Sequence, residues 1–275
     1  MPNLQAARHS DGPSLAAELA TSQQQVHESQ RLRYRVFAEE MGARVHTTLP
    51  GHEADAYDRY CHHLLVRNRH SGEVVASTRI LTDTQSRLCG GFYSESEFDF
   101  SAVLARPGRV IEIGRTCVAA DCRNGAAIGV LWSALARFMI IHRVDYMIGC
   151  ASISLRDGGV RAQAIAEHAR KRHLSPETLR TQPHRPLTGV DAHNVSAVAM
   201  PPLLKAYLRL GAWVCGEPCL DREFNVADLP ILLDVDRVNP RYMRHFVHNR
   251  TAAPVAALMA AASRTPKHAY GETHL

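Results

Sequence analysis

Charged residues that could act together on a small molecule cluster in three stretches of this 275-residue chain. The first is Glu112-Ile-Gly-Arg115. Residues three apart on a flat strand face opposite sides, so these two charges can share a site only if the strand bulges. Gly114 would permit that bulge. A bulged central strand frees backbone N–H groups and opens a slot in which a thioester carbonyl could be polarised. A strand end carrying solvated charges fits the same four residues. The second stretch pairs Asp55 and Asp58, in a tyrosine-bearing loop, with Arg31, Arg33 and Arg35 on the preceding segment. Carboxylates suit a cationic amine and arginine forks suit a carboxylate, and an amino acid offers both groups. An exposed acidic loop lying on a helix surface is the alternative. Arg79 interrupts an otherwise uncharged strand-like run and needs solvent or a buried partner.

The third stretch runs from Val118 through Arg123 to Gly125, ahead of an apolar helical segment. A glycine at a helix mouth lets a ligand approach free N–H groups, and the helix dipole favours phosphate there. That would suit coenzyme A or phosphopantetheine. Taken alone, so short a pattern is better explained as an ordinary turn between strand and helix.

Other chemistries lack their residues. Adjacent His62 and His63 beside Cys61 would point to opposite faces of a strand, and no second cluster has ligand spacing, so no metal is expected. No G-x-S-x-G elbow occurs, and no cysteine has a recognisable nucleophile context. The net charge of +5 would favour an acidic partner, an anionic membrane surface or nucleic acid. The basic stretch 156–185 holds no Phe, Tyr or Trp, which argues against nucleic acid.

The elements that must position these residues follow from periodicity and punctuation. Residues 22–41 lack Gly and Pro and carry Val26, Leu32, Val36, Phe37 and Met41 on an uneven apolar face, so they predict a helix ended by Gly42. Residues 47–60 read as loop, and 63–69 with 74–81 as a hairpin. Residues 109–118 predict a strand, 126–142 a largely buried helix and 145–150 another strand, making one crossover unit. Residues 155–202, rich in Arg, Lys, His and Pro, read as an inserted helix plus an exposed basic loop. Helix 203–210 and strands 212–215 and 229–235 complete an α+β domain with a mixed, mostly antiparallel sheet flanked by helices. The expected organisation is a flexible stretch over 1–21, a domain over 22–248 with the basic insert, and a weakly ordered tail over 249–275. Seven cysteines without paired spacing and no apolar leader make the cytoplasm the expected compartment.

Taken in order, Arg31-Leu-Arg-Tyr-Arg35-Val-Phe37, Asp55-x-x-Asp58, Val75-Ala-Ser-Thr-Arg79, Glu112-x-x-Arg115 and Arg123-x-Gly125 resemble the acyl-carrier-protein-dependent branch of the GNAT N-acyltransferases. That branch includes acyl-homoserine-lactone synthases and ornithine N-acyltransferases. Tyr207-Leu-Arg-Leu-Gly211, Gly216-Glu-Pro218, Asp221-x-x-Phe224-Asn225, Asp228 and Arg241-Tyr242 look like the ornithine pattern. The Trp that lactone synthases usually carry between the Phe37-like and Asp55-like positions is missing. The resemblance implies a GNAT-like fold over roughly residues 25–246. It also implies transfer of a 3-hydroxyacyl chain from acyl carrier protein, as its phosphopantetheine thioester, to the α-amino group of L-ornithine. No bound cofactor is implied. Lyso-ornithine lipid would be the product, and no H-x-x-x-x-D motif for a second, O-acylating step is present.

An amine attacking a thioester needs a proton acceptor, alignment and oxyanion donors rather than an enzyme nucleophile. Glu112 is the first candidate base and Asp58 the second. Arg79 and Arg115 would brace the acceptor site and its carboxylates, with Asp55 and Arg79 binding the substrate. Arg35 and Phe37 would shape the acyl entrance, and Val118, Arg123 and Gly125 would bracket the phosphopantetheine phosphate. Arg241 to Arg250 and the Ala-rich tail could touch the inner membrane peripherally. The competing readings are a lactone synthase using S-adenosylmethionine, an acetyltransferase using acetyl coenzyme A, and a nucleic-acid binder.

Overall fold

A computed structural model describes residues 15–192, 195 and 199–238. The chain runs through strand β1 (Leu15–Leu19), helix α1 (Gln23–Tyr34), strands β2 (His62–Asn68) and β3 (Val74–Thr82), and helix α2 (Asp83–Cys89). Strand β4 (Phe98–Asp99), helix α3 (Ser101–Leu104), strand β5 (Val110–Val118), helix α4 (Ala126–Ile141) and strand β6 (Tyr146–Ser154) follow. Helix α5 (Val160–His173), strand β7 (Gln182–Pro183), helix α6 (Pro202–Leu210) and strands β8 (Trp213–Val214), β9 (Cys219–Asp221) and β10 (Val226–Asp234) complete it.

Eight of the strands make one sheet in the order β1-β2-β3-β5-β6-β10-β8, with β9 also on β10. Its one parallel pair among the described strands is β5 with β6; every other pairing is antiparallel. The expected mixed, mostly antiparallel sheet is therefore present. Helix α4 explains the crossover: its apolar residues Val130, Leu131, Ala134, Leu135 and Phe138 are buried in the main core. Their three- and four-residue spacing gives one apolar stripe, which covers the sheet between two parallel strands.

Two boundaries differ from expectation. Leu15–Leu19 is a strand on the edge of β2, so order begins before residue 22. Its alternating burial gives the edge an apolar face to bury, which local composition did not reveal. Residues 155–202 are also less of an insert than their charge suggested. Helix α5 buries Ala162, Ile165, Ala166 and Ala169 in the main core, and only its last turn carries the basic run. Residues 1–14, the tail over 249–275 and the Arg241 to Arg250 stretch lie outside the described residues.

The geometry that matters lies in β5 and β6. Their pairing covers only Val110–Ile113 against Tyr146–Gly149, after which β5 continues to Val118 and β6 to Ser154 apart from each other. Gly149 stands at the last pair, where an added Cβ would come 2.5 Å from the Ile113 carbonyl oxygen. Only glycine allows that approach. Beyond it, the facing edges of both strands are released from mutual pairing, and a slot opens in the sheet.

Candidate active site

Strand β5 bulges where it leaves β6. Against β3, Arg79 pairs with Gly114 but Ser77 pairs with Cys117, so Thr78 faces both Arg115 and Thr116. The bulge sits one residue later than expected: Arg115 itself takes the left-handed conformation, at φ 52°, while Gly114 does not. A non-glycine residue held there is strained and needs its surroundings to fix it. Thr78 Oγ1 does so from the opposite strand, 2.7 Å from Thr116 Oγ1 and donating to the Gly114 carbonyl at 3.3 Å. The extra residue resets the alternation, so Arg115 can reach the face that Glu112 and Gly114 already share.

On that face Arg115 joins a closed ring of ion pairs. Arg33 bonds Glu53 and Asp58, Arg79 bonds Asp58 and Asp55, and Arg115 bonds Asp55 and Glu53. Three guanidinium groups thus alternate with three carboxylates. The Arg33–Asp58 contact is 2.6 Å, Arg79–Asp55 2.5 Å and Arg115–Glu53 3.1 Å. Asp58 also accepts from the Gln30 amide at 2.9 Å, and the buried His63 ring lies against its backbone carbonyl. Burial alone would raise the Asp58 carboxyl, but Arg33 and Arg79 outweigh it and hold it far below the usual carboxylate range. Arg33 is 1% exposed, and its guanidinium, despite burial, is held firmly protonated by Asp58 and Glu53.

Glu112 lies beside this ring in a different setting. Its carboxylate accepts from the backbone N–H groups of Tyr93 and Ser94, each at 2.7 Å, and from the Ser94 hydroxyl. Those donors belong to a single 3-10 turn, Tyr93–Ser96, so Glu112 anchors that turn over the sheet. Burial raises the Glu112 carboxyl, and the donated hydrogen bonds only partly offset this. A narrow cavity reaches it, lined by Cys61, Arg79, Leu81, Tyr93, Glu112 and Gly114. The Tyr93 ring also covers the Arg115 guanidinium, at 4.6 Å, and Phe224 covers it from another side at 4.4 Å.

Of the expected residues, Glu112, Arg115, Asp55, Asp58 and Arg79 converge here. Phe37 is buried and packs edge-on against Phe224 at 5.7 Å, which links the π-helical turn Arg35–Glu40 to the site. Arg35 does not enter; it is exposed, and Arg33 takes the buried place. Helical spacing carries the signal that separates them, because Val26, Ser29, Gln30, Arg33, Val36 and Phe37 fall on one buried face and Arg35 falls off it. Glu53 completes the ring although nothing in its local sequence marks it.

Val118, Arg123 and Gly125 form a separate group at the start of α4. The half-exposed Arg123 donates to the Val118 carbonyl at 3.0 Å and pairs with Glu40 at 2.6 Å. Gly125 caps α4 at φ 95°, a left-handed geometry that glycine accepts without cost.

On the far side of the slot stands a second acidic group. Glu97, Cys150 and Asp228 bring their ligand atoms within 4.8 Å of one another. Cys150 Sγ donates to Glu97 at 3.3 Å, and the Ser152 hydroxyl to Asp228 at 2.6 Å. Burial raises both carboxyls, and their repulsion of each other or of Asp221 adds to it. Cys150 is pushed well above the ordinary thiol value by burial and then by Glu97, so the thiol stays protonated. Among the described residues these three are the ones whose donor atoms converge closely enough to share an ion.

Comparison with known proteins agrees with this architecture. Residues 32–133 match the model of the acetyltransferase (GNAT) domain. An L-ornithine N(alpha)-acyltransferase of Brucella abortus (strain 2308) is 34% identical over 249 residues, covering 85% of this chain and 89% of the relative. One from Rhodobacter capsulatus is 35% identical, with 85% and 95% covered. Among solved structures, a CoA-dependent acyl-homoserine lactone synthase, BjaI, matches at TM-score 0.52 and 16% identity, over 92% of this chain and all of that one. FeeM, an N-acyl amino acid synthase from uncultured soil microbes, matches at 0.51 and 11% identity, over 82% and 94%. At that identity the two structures speak for the fold alone. The sequence relatives, long and well covered on both sides, show that this chain belongs to the L-ornithine N(alpha)-acyltransferase family of GNAT-fold enzymes.

Proposed function

We propose that the protein transfers a 3-hydroxyacyl chain from the phosphopantetheine thioester of acyl carrier protein to the α-amino group of L-ornithine, giving lyso-ornithine lipid. The observation that carries this reading is the bulge at Arg115. It turns an arginine onto the face of Glu112 at the point where β5 and β6 part, so acid, base and slot meet in one place.

In this reading the acyl thioester lies in the slot between the parted strands, with its carbonyl oxygen against backbone groups freed from pairing beyond Ile113. The amine of ornithine attacks the thioester carbon directly. Glu112 takes the proton that nitrogen must lose; its raised carboxyl is better matched to an amine than an ordinary glutamate. The tetrahedral intermediate collapses by breaking the C–S bond, and the departing thiolate takes up the proton that Glu112 accepted from the amine. Asp58, the other candidate base, is assigned to the ion-pair ring, because two arginines make it too weak a proton acceptor. Asp55, Arg79 and Arg115 hold the acceptor side in shape, and Arg33 replaces Arg35 as the buried member from the first helix. Phe37 shapes the wall behind Arg115. Val118, Arg123 and Gly125 receive the phosphopantetheine phosphate at the start of α4.

Mass spectrometry tests the reaction: purified protein given a mixed amino-acid pool and 3-hydroxyacyl carrier protein should yield N-acylated ornithine as the main product. Products carrying another amino acid, or none, would reject it. Glu112→Gln should lower kcat for thiol release by roughly 10²–10⁴-fold with a small change in KM. A near wild-type kcat would remove Glu112 from the role of base. No described helix is long and apolar enough to cross a membrane. Peripheral contact with the membrane face remains part of this proposal because the product is amphiphilic.

A further inference from the structure

The proposed mechanism leaves the second acidic group unused, and that group is built differently from the first. Glu97 is 2% exposed and Asp228 3%. Among the described residues neither forms a salt bridge to an Arg, Lys or His, and neither carboxylate receives a hydrogen bond from an N–H group. Their donors are one thiol and one hydroxyl. A buried carboxylate without a cation is strongly disfavoured, and two side by side more so. The side chains nevertheless converge, with oxygens within 4.8 Å. Two oxygens bonded to one tetrahedral ammonium at about 2.8 Å stand about 4.6 Å apart, a separation this convergence allows.

Location supports the same occupant. Cys150 and Ser152 alternate with Ile148 along β6, and Ile148 is in register with Glu112, so all four share one face. Asp228 on β10 is in register with Ser152. Glu97 follows the turn that Glu112 anchors, and the connection is continuous. The Ser94 hydroxyl donates to Glu112 and lies 3.4 Å from Cys150 Sγ, whose thiol donates to Glu97. Proton acceptor and acidic pair are thus joined through two side chains. A molecule with two nitrogens separated by five bonds of about 1.5 Å sets them about 6 Å apart when extended.

We infer that Glu97 and Asp228 form the seat for the side-chain ammonium of the acceptor amino acid, selecting a diamino acid and turning its α-nitrogen toward Glu112. The inference rests on the proposed ornithine acylation and adds residues to it. The seat supplies two of the charge-assisted bonds and the ligand supplies the missing positive charge, so the pair is satisfied only when substrate is bound.

The test compares L-ornithine with L-norvaline, which has the same carbon chain without the terminal amine, using full-length protein and 3-hydroxyacyl carrier protein. Wild type should favour ornithine in kcat/KM by about 100-fold. Glu97→Gln and Asp228→Asn should each cut kcat/KM for ornithine by about 10- to 100-fold, mainly through KM, and change that for norvaline by less than about threefold. Norvaline turnover reports that each variant is folded. Equal losses with both acceptors, or an unchanged ratio, would overturn the seat while leaving ornithine acylation standing. Should neither variant fold, wild type alone decides: a ratio near one rejects the idea. Retention of one equivalent of a divalent metal by wild type and none by Glu97→Gln would assign the group to an ion and overturn it as well. Thiol release with other amino acids but none with ornithine would bring down the proposed function, and the seat with it.

Discussion

Two acidic groups flank the slot in this protein, and they differ in what neutralises them. On one side Glu53, Asp55 and Asp58 alternate with Arg33, Arg79 and Arg115 in a ring whose charges cancel within the fold. On the other side Glu97 and Asp228 are as deeply buried, yet no arginine, lysine or histidine among the described residues pairs with them. The first group is complete, with its carboxyls held low and its guanidinium groups held protonated, and in the proposed mechanism it serves as scaffolding. The second has no salt bridge among the described residues: burial and then neighbouring carboxylates raise its carboxyls, and Arg115, acting without a direct ion pair, only partly offsets this. Burial is thus a poor guide to role; the charge balance of a buried cluster is a better one.

The comparison breaks most visibly at Arg33. Replacing it by Met leaves Glu53 and Asp58 buried with their main partner gone, and should cost about 3–5 kcal/mol in chemical denaturation. A loss below about 1 kcal/mol would show that the ring is not structural. Glu97→Gln should act in the opposite direction. A carboxyl raised in the folded state binds its proton more tightly there than in the unfolded chain. It therefore costs stability as pH rises from the ordinary carboxylate value through the raised one. Removing it should stabilise the protein by about 2 kcal/mol at pH 9 and by almost nothing at pH 5. Equal melting curves for variant and wild type at pH 9 would contradict the raised carboxyl.

Acid sharpens the ring side. Asp58 is lowered in the folded state, so its contribution is present above the unfolded carboxylate value and is lost as pH falls below it. Wild type should lose stability steeply between about pH 4 and pH 2, and Asp58→Asn should flatten that slope. The smallest effect belongs to Arg35→Ala. Lying off the buried face, it should change stability by less than about 0.5 kcal/mol. A loss as large as that of Arg33→Met would return Arg35 to the site.

The legible parts of this protein were those set by local pattern. The hairpin of β2 and β3, helix α4 and strand β5 follow from alternation, helical spacing and glycine placement, and all stand within a few residues of expectation. Strand β1 was missed because five residues next to a polar stretch do not outweigh it, although β2 needed an edge partner. Strand β6 extends four residues past its expected end at Cys150, where its small and polar residues gain strand pairing from β10 alongside. The choice between Arg33 and Arg35 was recoverable from the run of buried positions along α1, whereas Glu53 and Glu97 carried no local mark.

By itself, then, the order of residues determined which segments are helices and strands, and which side chains could carry acid, base and guanidinium chemistry. It also determined that Glu112 and Arg115 could cooperate only on a bulged strand, because alternation on a pleated strand is a local property. The tertiary structure decided where that bulge falls, since the cross-strand Thr78–Thr116 contact holds Arg115 in a backbone shape it would not take alone. It alone decided which carboxylates meet arginines and which do not. Electrostatic pairing depends on separations of a few ångströms between residues up to about 130 positions apart, and no local pattern encodes them.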